Sequence, residues 1–253
     1  MIQHMLYTKN DIERTVRVMK KRFIFLIPIL LLIIACGIFV GLDRRSTQTT
    51  ATIVPLPSNY NQLETVYSPA QVLFNLSDKA KLAASTDYIF VGYLDKIVGT
   101  SYRDIREIGG KQTGTPYTHF LITDLFNIKG RLRTDKPLPV EMFGGVDINE
   151  TCVLLTESKS IPEEGHYYIF MVSVSEQDEL YLDAQCDLGR EINQEEISAY
   201  FDAWNSQMHD TPDESASPEI QAINEYVIAF ENRDLDYEKK ERFHSSYEMD
   251  LTT

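Results

Sequence analysis

Three cysteines, five histidines and a few short polar runs are the places where this 253-residue chain has the side chains for chemistry. Cys152 and Cys186 have no neighbouring cysteine, which rules out a CxxC redox pair or a cysteine-rich zinc site. In an oxidising compartment such a lone pair forms a disulfide, Cys152–Cys186; the alternative is two buried free thiols. Cys36, the third, lies inside a long apolar run. His119, His166, His209 and His244 never fall in pairs at metal-ligand spacing, and His119 reads as a half-buried polar residue of a strand. Thr156-Glu157-Ser158-Lys159-Ser160 sets a serine beside a lysine. A Ser/Lys nucleophile needs its amine desolvated, and this stretch reads as an exposed loop. Asp147, Asn149 and Thr151 alternate after the diglycine Gly144-Gly145, but a calcium site takes about six oxygens or more, so an ordinary polar turn is expected. GxSxG, HExxH, Walker A, GxGxxG and EF-hand patterns are missing from the sequence. No catalytic residue, cofactor ligand or metal ligand is therefore assigned, and no cofactor is expected.

The strongest signal is positional. Phe23 to Leu42 runs twenty residues without a charge, directly after Lys20-Lys21-Arg22. As a helix it is about 30 Å long, the thickness of a bilayer's hydrocarbon core. The segment before it holds six basic and two acidic residues. Basic flanks stay cytoplasmic, so the reading is a single-pass span with the N-terminus inside. Pro28 is tolerated near the entry of such a helix. A second reading starts at Met19 and takes Ile33-Ile34-Ala35-Cys36 as a bacterial lipoprotein signal, with Cys36 lipidated. Against it, Gly37-Ile38-Phe39-Val40-Gly41 continues apolar past the cysteine. Both readings place the remainder outside the cytoplasm. Asn75-Leu76-Ser77 and Asn149-Glu150-Thr151 match the glycosylation acceptor pattern, which means little in a bacterial cell.

Six of the 24 basic and two of the 38 acidic residues precede Leu42, so residues 42–253 carry a net charge of −18. That repels nucleic acid and anionic lipid surfaces. With 43% hydrophobic residues, 14 Tyr and 12 Phe, the exported part has material for one packed domain. Ser46–Asn61, rich in Ser, Thr, Pro and Asn, reads as a tether. A short helix is expected near 78–84, capped by Ser77. Strands are expected at Tyr88–Val98, Tyr117–Ile128, Pro139–Phe143, Thr151–Thr156, Tyr167–Val174 and Leu180–Cys186, with Phe120, Ile122, Phe126 and Ile128 on one face. The three glycines of 101–115 suggest a mobile hairpin loop, and Ser175–Glu179 a hairpin turn. Asn193 with Glu196 resembles a capping box. Ile197, Tyr200, Phe201 and Trp204 then fall on one helical face, and Ser217-Pro218 starts a second helix through Ile220, Ile223, Val227 and Phe230. The charged end is expected to be a solvated, fraying helix.

These strands resemble a known module. Ala84-Ser85-Thr86-Asp87-Tyr88-Ile89-Phe90-Val91-Gly92 is similar to the opening strand of the netrin-like family, which includes the tissue inhibitors of metalloproteinases. Leu125-Phe126-Asn127-Ile128-Lys129-Gly130 is similar to its second strand. Cys152, Gly165-His166-Tyr167-Tyr168-Ile169-Phe170 and Ala184-Gln185-Cys186-Asp187 match in style, over about residues 84–190. The resemblance implies an OB-fold and a binding role outside the cytoplasm. It does not carry over protease inhibition, which in that family uses the free amine of an N-terminal cysteine: residues 43–83 contain none, and lipidation of Cys36 would block its amine.

The organisation expected is a cytoplasmic basic segment (1–22), a transmembrane helix (23–42), a tether (43–80), an OB-like five-stranded Greek-key barrel (81–190) and an acidic helical tail (191–253). The fold class is mainly β with a helical C-terminal extension. The function expected is noncatalytic binding to a protein or envelope component at the cell membrane, with any small-molecule ligand unassigned. The binding face expected is 88–98 and 117–128 with the loop 101–115. Two alternatives are an envelope hydrolase using carboxylates and a signalling subunit acting through its membrane helix. A Cys36→Ser variant should keep the mass and the alkali-resistant membrane association of the native chain. Loss of a fatty-acid label on that change would establish the lipoprotein instead.

Overall fold

A computed structural model describes residues 52–69, 77–157, 159–206, 216–238 and 243–249. The span 23–42 and Cys36 lie outside these residues, as do Asn75, Ser158 and His209. Among the described residues no helix is long and apolar enough to cross a membrane. The structure is mainly β, with helices gathered towards the C-terminus.

Eight strands follow in order: β1 (Glu64–Ser68), β2 (Tyr88–Ile108), β3 (Lys111–Lys129), β4 (Leu138–Phe143), β5 (Gly145–Val146), β6 (Cys152–Thr156), β7 (Tyr167–Val174) and β8 (Leu180–Gly189). The helices are α1 (Lys79–Ser85), α2 (Gln194–Asn205) and α3 (Pro218–Glu231). Five strands pair in the order β2-β3-β4-β8-β7 and return to β2 as a closed ring. All these pairings are antiparallel except β4 with β8. A second sheet has the order β1-β6-β5, with β1 parallel to β6.

The unbroken apolar runs of β2 and β7 follow from burial on both faces. Tyr88, Phe90 and Leu94 point into the ring with Phe120, Ile122, Tyr168 and Phe170, forming one core. Ile89, Val91, Ile169 and Met171 point outwards into a second core under the three helices. Phe126 and Ile128 belong to this second core and not, as the simple alternation predicts, with Phe120 and Ile122. The reason is a bulge: Gly92 faces Asp124 and Val91 faces Phe126, leaving Leu125 as an extra residue that turns the strand over. Gly92 is needed there, since a Cβ would sit 2.9 Å from the Thr123 carbonyl.

Helix α1 is capped by Asp78, which accepts from the Lys81 amide, and not by Ser77. At its other end the buried Lys129 ammonium donates to the carbonyls of Ala83, Ala84 and Thr86. A cation there satisfies C-terminal carbonyls and complements the helix dipole. Asn193 caps α2 through the Glu196 amide, but Glu196 does not complete the box: its carboxylate accepts from the Ser217 amide and links the start of α3. Ser217 caps α3 ahead of Pro218. The aromatic stripe of α2 packs on its own fold, with Phe201 stacked on Phe126 at 5.0 Å between ring centroids.

Three further expectations change. The hairpin expected at 101–115 is present but carries almost no loop, because β2 and β3 stay paired to Ile108↔Lys111 and turn through Gly109 and Gly110 alone. Both glycines have positive φ, 61° and 78°, as a tight two-residue hairpin turn requires. The tether is shorter than 43–80, since Val54 exchanges two hydrogen bonds of 2.8 Å with Thr100 and β1 pairs with β6. The C-terminal segment is no helix over 243–249 but a strap. The Ser245 amide donates to Tyr88 Oη, Tyr88 Oη donates to Glu248, and the Met249 amide donates to Arg131 O.

Gly99 is where the N-terminal segment crosses the ring. Its φ is +148°, and a Cβ would meet Val54 O at 2.2 Å. Gly99→Ala should therefore destabilise by about 2–3 kcal/mol in urea unfolding, from strain and overpacking together. A cost under half of that would show that the 52–56 segment yields freely.

Candidate functional site

Residues of β2, β3, β4 and β8 that face away from the ring interior form one polar constellation. Register sets Gly99 opposite His119, His119 opposite Glu141 and Glu141 opposite Tyr181. Arg103, at the base of the β2–β3 hairpin, reaches over this row. Its guanidinium donates to Glu141 at 2.6 Å and to Tyr181 Oη at 2.8 Å, lies 3.4 Å from Glu179 and sits 4.1 Å above the Tyr117 ring. Tyr181 in turn donates to Glu179 at 2.7 Å. Burial works against the Arg103 charge, but Tyr181 and the two carboxylates outweigh it and hold it cationic. Burial pushes the Glu141 carboxyl up, opposed by Tyr181 and Arg103. A charge in the middle of the apolar strand LPVEMF is tolerable only because it is paired.

His119, Ser101 and Glu141 have the composition of a nucleophile triad, and the geometry rejects that use. Ser101 Oγ is 2.7 Å from His119 Nε2, and Glu141 Oε2 is 3.8 Å from that same nitrogen. A triad needs the carboxylate on the opposite nitrogen, where it fixes the tautomer. Ser101 is only 1% exposed. Burial, and then Arg103, lower the His119 pKa. His119 is thus a neutral, half-buried strand residue, as its position suggests.

The other sequence candidates separate. Asp147 Oδ1 accepts from the Cys152 amide at 2.8 Å and from Thr151, and Oδ2 accepts from the Asn149 amide at 3.1 Å. Burial would raise its pKa, yet these donors win and hold it below the usual carboxylate range. The loop is a polar turn organised by one carboxylate. Cys152 and Cys186 are both free thiols, so the expected disulfide is not formed. Cys152 begins β6 beside Asp147, whereas Cys186 packs in the second core near Tyr226. Burial raises both thiol pKa values, which leaves them weak nucleophiles. Lys159 is not on an exposed loop: its ammonium lies 3.3 Å from Leu182 O beside a cavity of about 410 Å³, and burial lowers its pKa. His166 lies between Asp187 and Glu163, and His244 against Glu248. Among the described residues no three His, Cys, Asp or Glu side chains are grouped to hold a metal ion.

No family model, curated protein or solved structure matches this chain.

Sequence reasoning missed the Arg103 cluster, because Glu141 and Tyr181 lie 38 and 78 positions from Arg103 and meet it only through strand register. The one available signal was Glu141 alone in an apolar strand, which implies a buried cationic partner. Beyond the cluster, the hairpin arm carries Ile105 and Ile108 at 54% and 65% exposure. Ile105 follows Asp104, whose φ of 53° lies in a register break between Arg103 and Arg106.

One buried carboxyl stands apart. Asp124 is 0% exposed, and neither of its oxygens finds a hydrogen-bond partner. Burial pushes its pKa up to about 8, with only weak opposition from the nearby Phe126 amide and Asn127. The folded state then keeps a proton that the unfolded chain releases near pH 4. Stability should fall as pH rises from about 4 to about 8 and level off above that. Asp124→Asn should remove this slope, gaining a few kcal/mol over the native chain at pH 9 and little at pH 4. Urea unfolding across that range measures it, and parallel slopes for the two proteins would contradict it.

Proposed function

We propose that this is a membrane-anchored extracytoplasmic binding protein, built on an OB-like barrel of the netrin-like kind and working without catalysis. The observation that carries the reading is the strand order β2-β3-β4-β8-β7, with β4 and β8 the one parallel pair. With β2 to β4, β7 and β8 taken as strands one to five, this is the order of an OB-fold. Such barrels commonly use the outer face of their second and third strands and the adjoining loops to bind ligands. Here that face adjoins Arg103 and Tyr117 and replaces the expected 88–98, whose Tyr88–Val91 are buried in the two cores; a hairpin arm with two exposed isoleucines extends it. The apolar run 23–42 supplies the anchor in this reading, and the basic flank sets the orientation. A partner protein or envelope component fits the arm better than a small molecule does, because Ile105 and Ile108 stand exposed on it among charged neighbours.

The hydrolase alternative asks for carboxyls of raised pKa lining a pocket. Burial raises the pKa of Asp124 and Glu141, but neither lines the cavities of about 690, 410 and 220 Å³. That favours the binding reading.

A photo-crosslinking residue at position 105 or 108 should capture one discrete partner from intact cells, while the same residue at the exposed Glu195 of α2 should not. With the crosslinker at 108, Ile105→Asp should abolish the adduct without lowering the melting temperature. Equal labelling from all three positions would contradict the assignment of the hairpin.

A further inference from the structure

The small sheet has an open edge. Strand β1 lies at one end of the order β1-β6-β5, is exposed along its whole length, and has no strand on its outer side among the described residues. Val66 and Tyr67 are large apolar residues left 44% and 55% exposed there. Proteins usually blunt such an edge with charge, proline or a covering element, since its unpaired backbone groups invite another strand. Glu64 at the first position and Pro69 just past the last mark the ends of β1, but Thr65–Ser68 between them carry neither charge nor proline, and no described element covers them.

The two faces beside this edge differ in chemistry. Thr65 and Tyr67 stand in register with Val153 and Leu155, and these four share one face. That face floors a groove of about 690 Å³, with Tyr60, Ile161 and Glu164 on its walls. No lysine or arginine lines it. Glu163 is held by Arg190 and His166, but Glu164 makes no ion pair among the described residues, and its Oε1 only accepts from the Ile97 amide. Val66 and Ser68 turn to the other face with Leu154. There they border a smaller hollow of about 220 Å³ with Pro116 and Phe143, which is largely apolar. An extended peptide places successive side chains on opposite faces. A strand laid along β1 would therefore send alternate residues into an electronegative groove and an apolar hollow.

We propose that β1 is a strand-addition edge that takes an extended segment of a partner polypeptide, with cationic side chains alternating with apolar ones. Main-chain hydrogen bonds to β1 supply affinity, and the two hollows select side chains. The charge of the chain, −14, supports a cationic partner. The apolar hollow shares Gly114 and Thr115 with the root of the hairpin arm, but the groove and the β1 edge lie off the arm, and the proposal holds whether or not the arm has a partner.

The test uses the full-length protein in detergent micelles and a short peptide of alternating lysine and valine. Hydrogen exchange should slow at Glu64–Ser68 when the peptide is added. Binding should weaken several-fold in Glu164→Gln and at high salt, and should be lost when alternate peptide amides are N-methylated. It should survive Ile108→Asp at the tip of the hairpin, which separates this site from the arm. A peptide of alternating glutamate and valine should not bind. Four results would overturn the proposal: no binding; equal binding of the glutamate peptide; binding without protection at Glu64–Ser68; or protection there on self-association without peptide, which would assign the edge to a second copy of the chain.

Discussion

The ring closes on its weakest seam. Strands β4 and β8 pair at only two positions, Val140 with Leu180 and Glu141 with Tyr181, whereas β2 and β3 stay paired for most of their length. Arg103 spans that seam from β2, passing over Tyr117 of β3 to reach Glu141 on β4 and Tyr181 and Glu179 at the start of β8. One guanidinium thus ties four of the five strands. Its donors point in a fixed planar fork, which suits several acceptors in one plane. Lysine would supply the charge without that geometry.

The rest of the architecture follows from closure. A closed ring gives β2 and β7 two buried faces, so their apolar runs form an inner core and an outer layer for the helices. The bulge at Leu125 moves β3 from the first to the second. The helices then seat by polar ties at their ends, with Lys129 on the carbonyls of α1 and Glu196 on the start of α3. Arg103 also sits where the hairpin leaves the ring, so the seam and the root of the arm share one residue. Closure and the presentation of the candidate binding face are therefore mechanically linked.

Much of this was legible in the sequence, and the failures have physical causes. Period-two and period-3.6 patterns located the strands and helices because burial imposes them locally. The caps at Asn193 and Ser217 were legible for the same reason. The hairpin is legible from Gly109-Gly110, but the length of its paired arm is not, because the arm is solvated on both faces and carries no apolar alternation. The C-terminal strap was hidden because Tyr88, Asp178 and Arg131, which hold it, are distant in sequence. Lone cysteines suggested a disulfide, but strand register carried Cys152 and Cys186 to different surroundings. The Arg103 cluster likewise exists only in register space, and no local pattern encodes it.

A double-mutant cycle on Arg103 and Glu141, followed by urea unfolding, tests the seam directly. Arg103→Met alone should cost about 2–3 kcal/mol, because it leaves Glu141 buried without its cation, and adding Glu141→Gln should recover most of that loss. Costs that simply add, or a neutral Arg103→Met, would show that the ring closes without this clamp.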